Sequence, residues 1–101
     1  MAATYRRRKI DVIIDVRSRL EYLFGHIATA RCIPLDRLEA RIARIHGVGL
    51  ESSILVYCAS GSRSKLAADL LRKLGYRKVT DGGTIRRMRI EAKPGGALIF
   101  D

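Results

Sequence analysis

Two short apolar segments rich in β-branched residues constrain the fold of this chain most strongly. The first, Ile10 to Val16, reads IDVIIDV and contains the uninterrupted run Val12 to Ile14. The second, Ser53 to Tyr57, reads SILVY. Such runs are typical of strands buried on both faces of a parallel sheet. Further strands are predicted around Ala30 to Ile33 and at Lys78 to Thr80.

Helical patterns alternate with these strands. The clearest covers Leu35 to His46, where Asp36 is the predicted N-cap, Glu39 completes a capping box and Gly47 ends the helix. Its predicted apolar face consists of Leu35, Leu38, Ile42 and Ile45. Because helices and strands alternate, the predicted fold class is α/β, with a mainly parallel sheet flanked by helices.

Two other helices and a turn complete the predicted elements. A short helix covers Arg17 to Phe24, and a longer one begins near Ser64 and ends at Gly75. The buried stripe of the longer helix is expected to comprise Leu66, Ala67, Leu70, Leu71 and Leu74. The sequence Asp81-Gly82-Gly83 predicts a turn.

The 101 residues fit one domain. The basic cluster Arg6 to Lys9 predicts a basic N-terminal tail over residues 1–9, followed by the domain over residues 10–101. Asp11 and Asp15 interrupt the apolar stretch that a secretory signal would need at this point. The expected location is therefore cytoplasmic.

The net charge of +10 is high for a chain of this length. It attracts anions of every kind, so a solvated basic surface and an acidic macromolecular partner both remain open. Aromatic residues are 6% of the chain and Trp is absent, which argues against a stacking surface for nucleic acid. No apolar run approaches the roughly 20 residues that span a bilayer.

Cysteine and histidine usage argues against a metal site. The chain has two cysteines, Cys32 and Cys58, and two histidines, none spaced as zinc ligands or as a disulfide framework. We therefore expect neither a metal nor another cofactor.

The segment Cys58 to Ser64, CASGSRS, carries the strongest functional signal. It joins the end of a predicted strand to the start of a predicted helix. In open α/β sheets, ligands bind beyond the carboxyl ends of the strands, and the first N–H groups of a helix there have no partner within the helix. A loop of small residues around Gly61 turns its N–H groups toward an anion, and Arg63 adds a guanidinium that binds oxyanions. Cys58 is therefore predicted to be a reactive thiolate nucleophile. The alternative is an inert cysteine buried at the end of a strand.

The spacing Cys-x-x-Gly-x-Arg-Ser resembles the active-site loop of single-domain rhodanese-like proteins, the thiosulfate sulfurtransferase family. Three other parts of the chain resemble the family in the same order: Ile14-Asp15-Val16-Arg17 with Glu21-Tyr22; Gly25-His26-Ile27 with Ala30 and Ile33-Pro34-Leu35; and Asp81-Gly82-Gly83. Residues 83–101 match only weakly, so the C-terminal helix is in doubt. There, residues 93–96 are predicted to form a loop, and residues 97–100 either a last strand or a disordered tail.

The resemblance implies a parallel sheet of about five strands and a sulfur-transfer reaction. Cys58 would take sulfane sulfur from thiosulfate or another anionic donor as a persulfide and pass it to cyanide or a thiol. Asp15 and His26 would be structural supports. The residues implied to bind the donor and the persulfide are Ala59, Ser60, Gly61, Ser62, Arg63 and Ser64.

Three alternatives accompany this interpretation. A phosphatase or arsenate reductase would use the same loop, but those enzymes place five residues between Cys and Arg, and here four intervene. A non-catalytic binding module would use the net charge of +10 to dock an acidic partner or nucleic acid. Arg86, Arg87 and Arg89 form either a solvated basic face or a site for an acidic protein or a sulfur carrier. Cys32, finally, is expected to be a small buried residue, with a resolving thiol as the alternative.

Overall fold

A four-stranded parallel sheet lies at the centre of the structure, a computed structural model that describes residues 3–100. Its strands are β3 (Val12–Asp15), β4 (Arg31–Cys32), β5 (Ser53–Cys58) and β6 (Lys78–Thr84), in the order β4-β3-β5-β6. A separate antiparallel sheet contains β1 (Ala3–Tyr5), β2 (Arg8–Ile10) and β7 (Leu98–Phe100), in the order β2-β1-β7. The helices are α1 (Arg19–Leu23), α2 (Leu38–Ile42), α3 (Ser62–Lys73) and α4 (Ile85–Glu91), and a 3-10 turn at Leu35–Arg37 precedes α2.

The predicted fold class is confirmed, with one correction to the strand number. The parallel sheet has four strands instead of about five. The C-terminal segment does form a strand, Leu98–Phe100, but it pairs antiparallel with Ala3–Tyr5 in the second sheet. None of the helices in residues 3–100 is long and apolar enough to cross a bilayer.

The described part of the basic segment forms a hairpin. Ala3, Tyr5 and Ile10 are buried, while the turn residues Arg6 and Arg7 are exposed and have positive φ angles. The pairing of β1 with both β2 and β7 ties residues 3–10 to the C-terminal strand. A basic tail was expected over residues 1–9. Within it, Ala3 and Tyr5 are buried and residues 6–9 are exposed, so the described part of this segment joins a sheet while keeping its basic side chains in solvent. The domain boundary at residue 10 stays a prediction.

Both faces of the parallel sheet are covered, as the β-branched runs predict. Val12 and Ile14 of β3 face one apolar cluster, which includes Leu38 of α2 and Leu71 of α3. Ile13 faces the opposite cluster, which includes residues of β1, β7 and α4. Strand β5 alternates between the same two clusters. The central strands are thus fixed from both sides, and their carboxyl ends are held in register.

The predicted helix over residues 35–46 is present in a shorter form, and its predicted cap is wrong. The N–H of Arg37 donates to the carbonyl of Pro34 at 2.8 Å, so the chain begins with a 3-10 turn. Asp36 therefore lies inside that turn, and no side chain caps either the turn or α2. The predicted apolar face is correct, since Leu38 and Ile42 are buried.

Helix α3 begins at Ser62, two residues before the predicted start, and buries a different stripe. Its buried residues are Ser64, Ala67, Ala68 and Leu71. Leu66 and Leu74, expected in the core, are exposed to 59% and 36%. Small residues on the sheet-facing side allow the helix to lie close to the strands, which turns the larger leucines outward.

The predicted turn at residues 81–83 is part of strand β6. Val56 pairs with Asp81 and Tyr57 with Gly83, so Gly82 is the extra residue of a β-bulge. A Cβ atom at Gly82 would lie 2.8 Å from Met88 Sδ and 2.9 Å from Leu55 Cδ2. The bulge therefore requires glycine. Strand β6 leads directly into α4, and Thr84, the N-cap of α4, accepts a hydrogen bond from the Arg87 N–H.

Substituting Gly82 with alanine should destabilise the fold. The added methyl group meets two buried side chains, and overpacking of this kind costs about 1–3 kcal/mol. The measurement is the free energy of unfolding in urea. Gly49→Ala is the matched control, because nothing lies within 4 Å of a Cβ there. Equal unfolding free energies for the two variants would contradict the role given to Gly82.

Candidate active site

Cys58 is the last residue of β5, a central strand of the parallel sheet. The short loop Ala59 to Gly61 follows, and α3 begins at Ser62. Cys58 is fully buried and pairs with Thr84 at the end of β6. The candidate nucleophile therefore lies where the strand ends meet a helix N-terminus, the position at which this class of sheet binds ligands.

Two backbone N–H groups donate to the Cys58 sulfur. The Gly61 N–H lies 3.0 Å from Sγ and the Ser64 N–H lies 3.3 Å from it. Gly61 has φ +98°, a left-handed conformation that glycine adopts without strain. Both donors, together with the dipole of the 12-residue helix α3, stabilise negative charge on the sulfur.

Ser64 also fixes the shape of the loop. Its hydroxyl lies 3.1 Å from the Gly61 carbonyl and 3.3 Å from the Gly83 carbonyl. The side chain is buried, so it links the loop, the first turn of α3 and the end of β6. Ser60 and Ser62 are exposed, and their hydroxyl oxygens lie 3.2 Å apart.

Four other N–H groups around the loop remain open to an incoming anion. They belong to Ala59, Ser60, Ser62 and Arg63, and no hydrogen bond within residues 3–100 uses them. Unused donors in a loop that follows a buried cysteine favour the binding of an anionic group next to that sulfur.

The Arg63 side chain is engaged by Glu21. Its two terminal nitrogens lie 2.7 and 3.0 Å from the two carboxylate oxygens of Glu21, a bidentate pair. Glu21 also accepts the Ser18 N–H and completes the capping box of α1. These hydrogen bonds, that of Arg63 above all, lower the pKa of Glu21 to about 2. The guanidinium predicted to bind a donor anion is therefore already paired with a carboxylate.

Asp15 is fully buried and anchors the loop that follows β3. Its carboxylate accepts the Arg17 N–H at 2.9 Å, the Arg17 guanidinium at 2.7 Å and the Tyr57 hydroxyl at 2.8 Å. Arg17 also donates to the Gly25 carbonyl, and the Ile27 N–H donates to the Tyr57 hydroxyl. Hydrogen bonding to Asp15 raises the pKa of Arg17, and burial raises the pKa of Tyr57. The network joins three chain segments next to the site.

His26 lies apart from the sulfur. Its ring stacks on Tyr22 with centroids 3.7 Å apart, and its Nδ1 lies 3.0 Å from the Tyr22 carbonyl. These contacts fix residues 25–27 to α1. A structural role for Asp15 and His26 stays a prediction, and their contacts agree with it.

Cys32 is half-buried at the end of β4, with its Sγ directed at the Arg17 carbonyl 4.0 Å away. It is less buried than the sequence suggested, because β4 is an edge strand. Burial nevertheless raises the pKa of its thiol, which favours the less reactive protonated form.

Sequence reasoning missed three residues that shape the site. Glu21, Arg17 and Tyr57 hold Arg63 and Asp15, and two of these pairings, Glu21 with Arg63 and Tyr57 with Asp15, bridge 42 residues of chain. No local spacing marks such contacts. Glu21 at the third position after Ser18 does form a recognisable capping box, which is the one signal that the sequence offered.

Replacing Tyr57 with phenylalanine should destabilise the protein by about 1–3 kcal/mol, because a buried carboxylate and the Ile27 N–H each lose a partner. Urea unfolding measures the difference. Tyr76→Phe is the control: Tyr76 is also buried, but none of the side-chain hydrogen bonds in residues 3–100 involves its hydroxyl. A loss of the same size in both variants would show that the network contributes nothing of its own.

Comparison with known proteins gives a consistent result. Residues 2–84 match the model of the rhodanese-like domain. A mitochondrial protein of Schizosaccharomyces pombe, provisionally named a thiosulfate sulfurtransferase, is 35% identical over 70% of this chain and 57% of its own length. The tRNA uridine(34) hydroxylase of Cronobacter sakazakii is 33% identical over 89% of this chain and 29% of its own length. The chain thus spans little more than half of the first of these relatives and less than a third of the second.

Solved structures agree with the sequence comparison. A rhodanese with anions from E. coli superposes with a TM-score of 0.72 at 27% identity, covering 89% of this chain and 98% of that one. A human single-domain sulfurtransferase superposes with a TM-score of 0.70 at 28% identity, covering 81% and 83%. The fold, the loop around Cys58 and these matches lead to one conclusion: the chain belongs to the rhodanese-like family.

Proposed function

We propose that the protein is a sulfurtransferase that carries sulfane sulfur as a persulfide on Cys58. The observation that carries the proposal is the pair of backbone hydrogen bonds to Cys58 Sγ, at 3.0 and 3.3 Å, at the N-terminus of α3. They stabilise a thiolate in a buried position. The names of the yeast relative and the human structural neighbour support the same chemistry.

The reaction divides into two displacements at sulfur. The Cys58 thiolate attacks the outer sulfur of thiosulfate, the S–S bond of thiosulfate breaks, and sulfite leaves with the electron pair. Cyanide or a thiolate then attacks the outer sulfur of the persulfide, and the Cys58 thiolate is released. Atoms and charge balance in each step, and neither step requires a cofactor.

The open N–H groups of the loop suit the intermediate. A persulfide places its negative charge one atom beyond Sγ, so its stabilisation needs donors other than the two already bound to Sγ. The N–H groups of Ala59, Ser60, Ser62 and Arg63 are the candidates. They act as fixed dipoles that need no reorganisation when the charge arrives.

The rival functions have less support in the site. The loop has four residues between Cys58 and Arg63, one fewer than phosphatases and arsenate reductases use. Arg63, which would have to bind the oxyanion in those enzymes, is held by Glu21. A module that only bound partners would have no need for a cysteine with two backbone donors.

Incubation with thiosulfate should add one sulfur atom to the protein, and cyanide should remove it. Intact-mass measurement detects both steps. Cys58→Ser should gain no sulfur. Cys32→Ser is the matched control, and it should load and discharge normally, because Cys32 lies outside the loop and burial favours its thiol form. An unmodified wild type with a free Cys58 thiol would refute the proposal, and slow discharge of Cys32→Ser to dithiols would make Cys32 a resolving thiol.

Glu21→Gln should lower the KM for thiosulfate about fivefold. The neutral amide keeps the capping hydrogen bond of α1 but frees the positive charge of Arg63 for a dianionic donor, an effect on the order of 1 kcal/mol for an exposed pair. Since the pKa of Glu21 is about 2, its titration should leave no trace in the wild-type KM above about pH 4.

The control for this variant is Glu39→Gln, an exposed carboxylate on α2 that pairs with no cation within the described residues. It should leave the KM unchanged. A higher KM in Glu21→Gln would mean that Glu21 orients Arg63 for donor binding instead of neutralising it.

A further inference from the structure

Helix α1 exposes an unusual amount of apolar surface. Leu20 is exposed to 64%, Leu23 to 66% and Phe24 to 85%. The three residues stand at positions i, i+3 and i+4, so their side chains share one face of the helix. A contiguous apolar group of this kind on an otherwise charged surface is typical of an interaction site.

The helix that carries this apolar group contacts the Cys58 loop. Helix α1 is joined to the loop by the Glu21–Arg63 pair, with the shorter N–O distance 2.7 Å. Gly25, which follows the C-terminal end of α1, lies next to α4: a Cβ atom at Gly25 would be 2.9 Å from the Arg89 guanidinium. Since α4 follows directly from Thr84, the pairing partner of Cys58, α1 and α4 both border the site.

The surroundings of the apolar group are positively charged. Arg19 lies on α1, and Arg86 and Arg89 are three positions apart on α4, on one face of that helix. All three are exposed, and none forms an ion pair within residues 3–100. Glu21, the one carboxylate of α1, is already paired with Arg63. We call these six residues the docking face: Leu20, Leu23, Phe24, Arg19, Arg86 and Arg89.

We propose that the docking face binds a protein acceptor whose thiol lies in a segment rich in carboxylates and apolar side chains. The proposal rests on the sulfur-transfer function above and specifies its second substrate. The acceptor thiolate attacks the outer sulfur of the Cys58 persulfide, the S–S bond of the persulfide breaks, and the sulfur remains on the acceptor as a new persulfide. Apolar contacts bring the segment to the loop, and the arginines select its charge.

Two synthetic peptides test this inference. Each contains one cysteine and the same leucines, and the residues around the cysteine are aspartates in one peptide and lysines in the other. The protein is loaded with thiosulfate and freed of excess donor. The rate of sulfur transfer to each peptide is then followed by mass.

The acidic peptide should react about tenfold faster than the basic one, and added salt should reduce the difference. Without docking, the cysteine of the basic peptide should be the more reactive of the two, because neighbouring lysines stabilise its thiolate. Phe24→Ser should slow transfer to the acidic peptide about tenfold and leave discharge to cyanide unchanged, since cyanide needs no docking face. Arg86→Glu should abolish the preference for the acidic peptide.

Matched controls are available outside the docking face. Leu50 is exposed to 52% and precedes β5, at the amino end of the parallel strands. Arg44 is exposed beyond the end of α2. Leu50→Ser and Arg44→Glu should transfer sulfur to both peptides at wild-type rates.

The outcomes separate this inference from the function on which it rests. Failure of thiosulfate to load Cys58 would refute the sulfurtransferase itself. Normal loading and cyanide discharge, with equal rates for the two peptides and no effect of Phe24→Ser, would refute the docking face alone. An equal loss of cyanide and peptide reactions in Phe24→Ser would also refute it, because the residue would then act on the site and not on docking.

Discussion

The buried ion pair of Asp15 and Arg17 is the interaction on which the arrangement around Cys58 depends. Removing both charges from water is costly, and a buried pair contributes to a fold only when its remaining hydrogen-bonding groups are satisfied. Here the carboxylate also accepts the Tyr57 hydroxyl, and the guanidinium also donates to the Gly25 carbonyl. Tyr57 immediately precedes Cys58. The pair therefore fixes the start of the α1 region relative to the end of β5, and with it the distance between Glu21 and Arg63.

Small residues complete the site from the other side. Ser64, Ala67 and Ala68 allow α3 to lie directly against the sheet, and the bulge at Gly82 leaves space for Met88. The packing of α3 on the sheet and the bulge at Gly82 both require small side chains at the contact. The close approach of α3 places its first N–H groups at the end of β5, so the sulfur is bound by backbone donors as a consequence of helix packing.

The sequence was informative where a structural feature depends on neighbouring residues. The two central strands, the presence of a helix after the Cys58 loop and the glycine at position 61 all follow from local patterns, although the helix begins at Ser62 and not near Ser64 as predicted. The stripe of α3 was misjudged because hydrophobicity favours Leu66 and Leu74 for the core, whereas close packing on the sheet selects alanine and serine. The pairing of Glu21 with Arg63 was missed because it joins residues 42 positions apart. Residues 81–83 of strand β6 were read as a turn because glycines mark turns and bulges equally well in a single sequence.

The distribution of charge separates the two tasks of the site. Negative charge on the sulfur is stabilised by backbone dipoles, while the one guanidinium of the loop is neutralised by a carboxylate. Arg19, Arg86 and Arg89, which form no ion pair within residues 3–100, stand on α1 and α4, and α1 also carries exposed leucines and a phenylalanine. Fixed dipoles in a buried position are screened little by salt, whereas exposed guanidinium groups are screened within about 10 Å at 0.1 M ionic strength. On the proposed function, chemistry at Cys58 would be insulated from the ionic surroundings, whereas the proposed selection of a protein acceptor would depend on them.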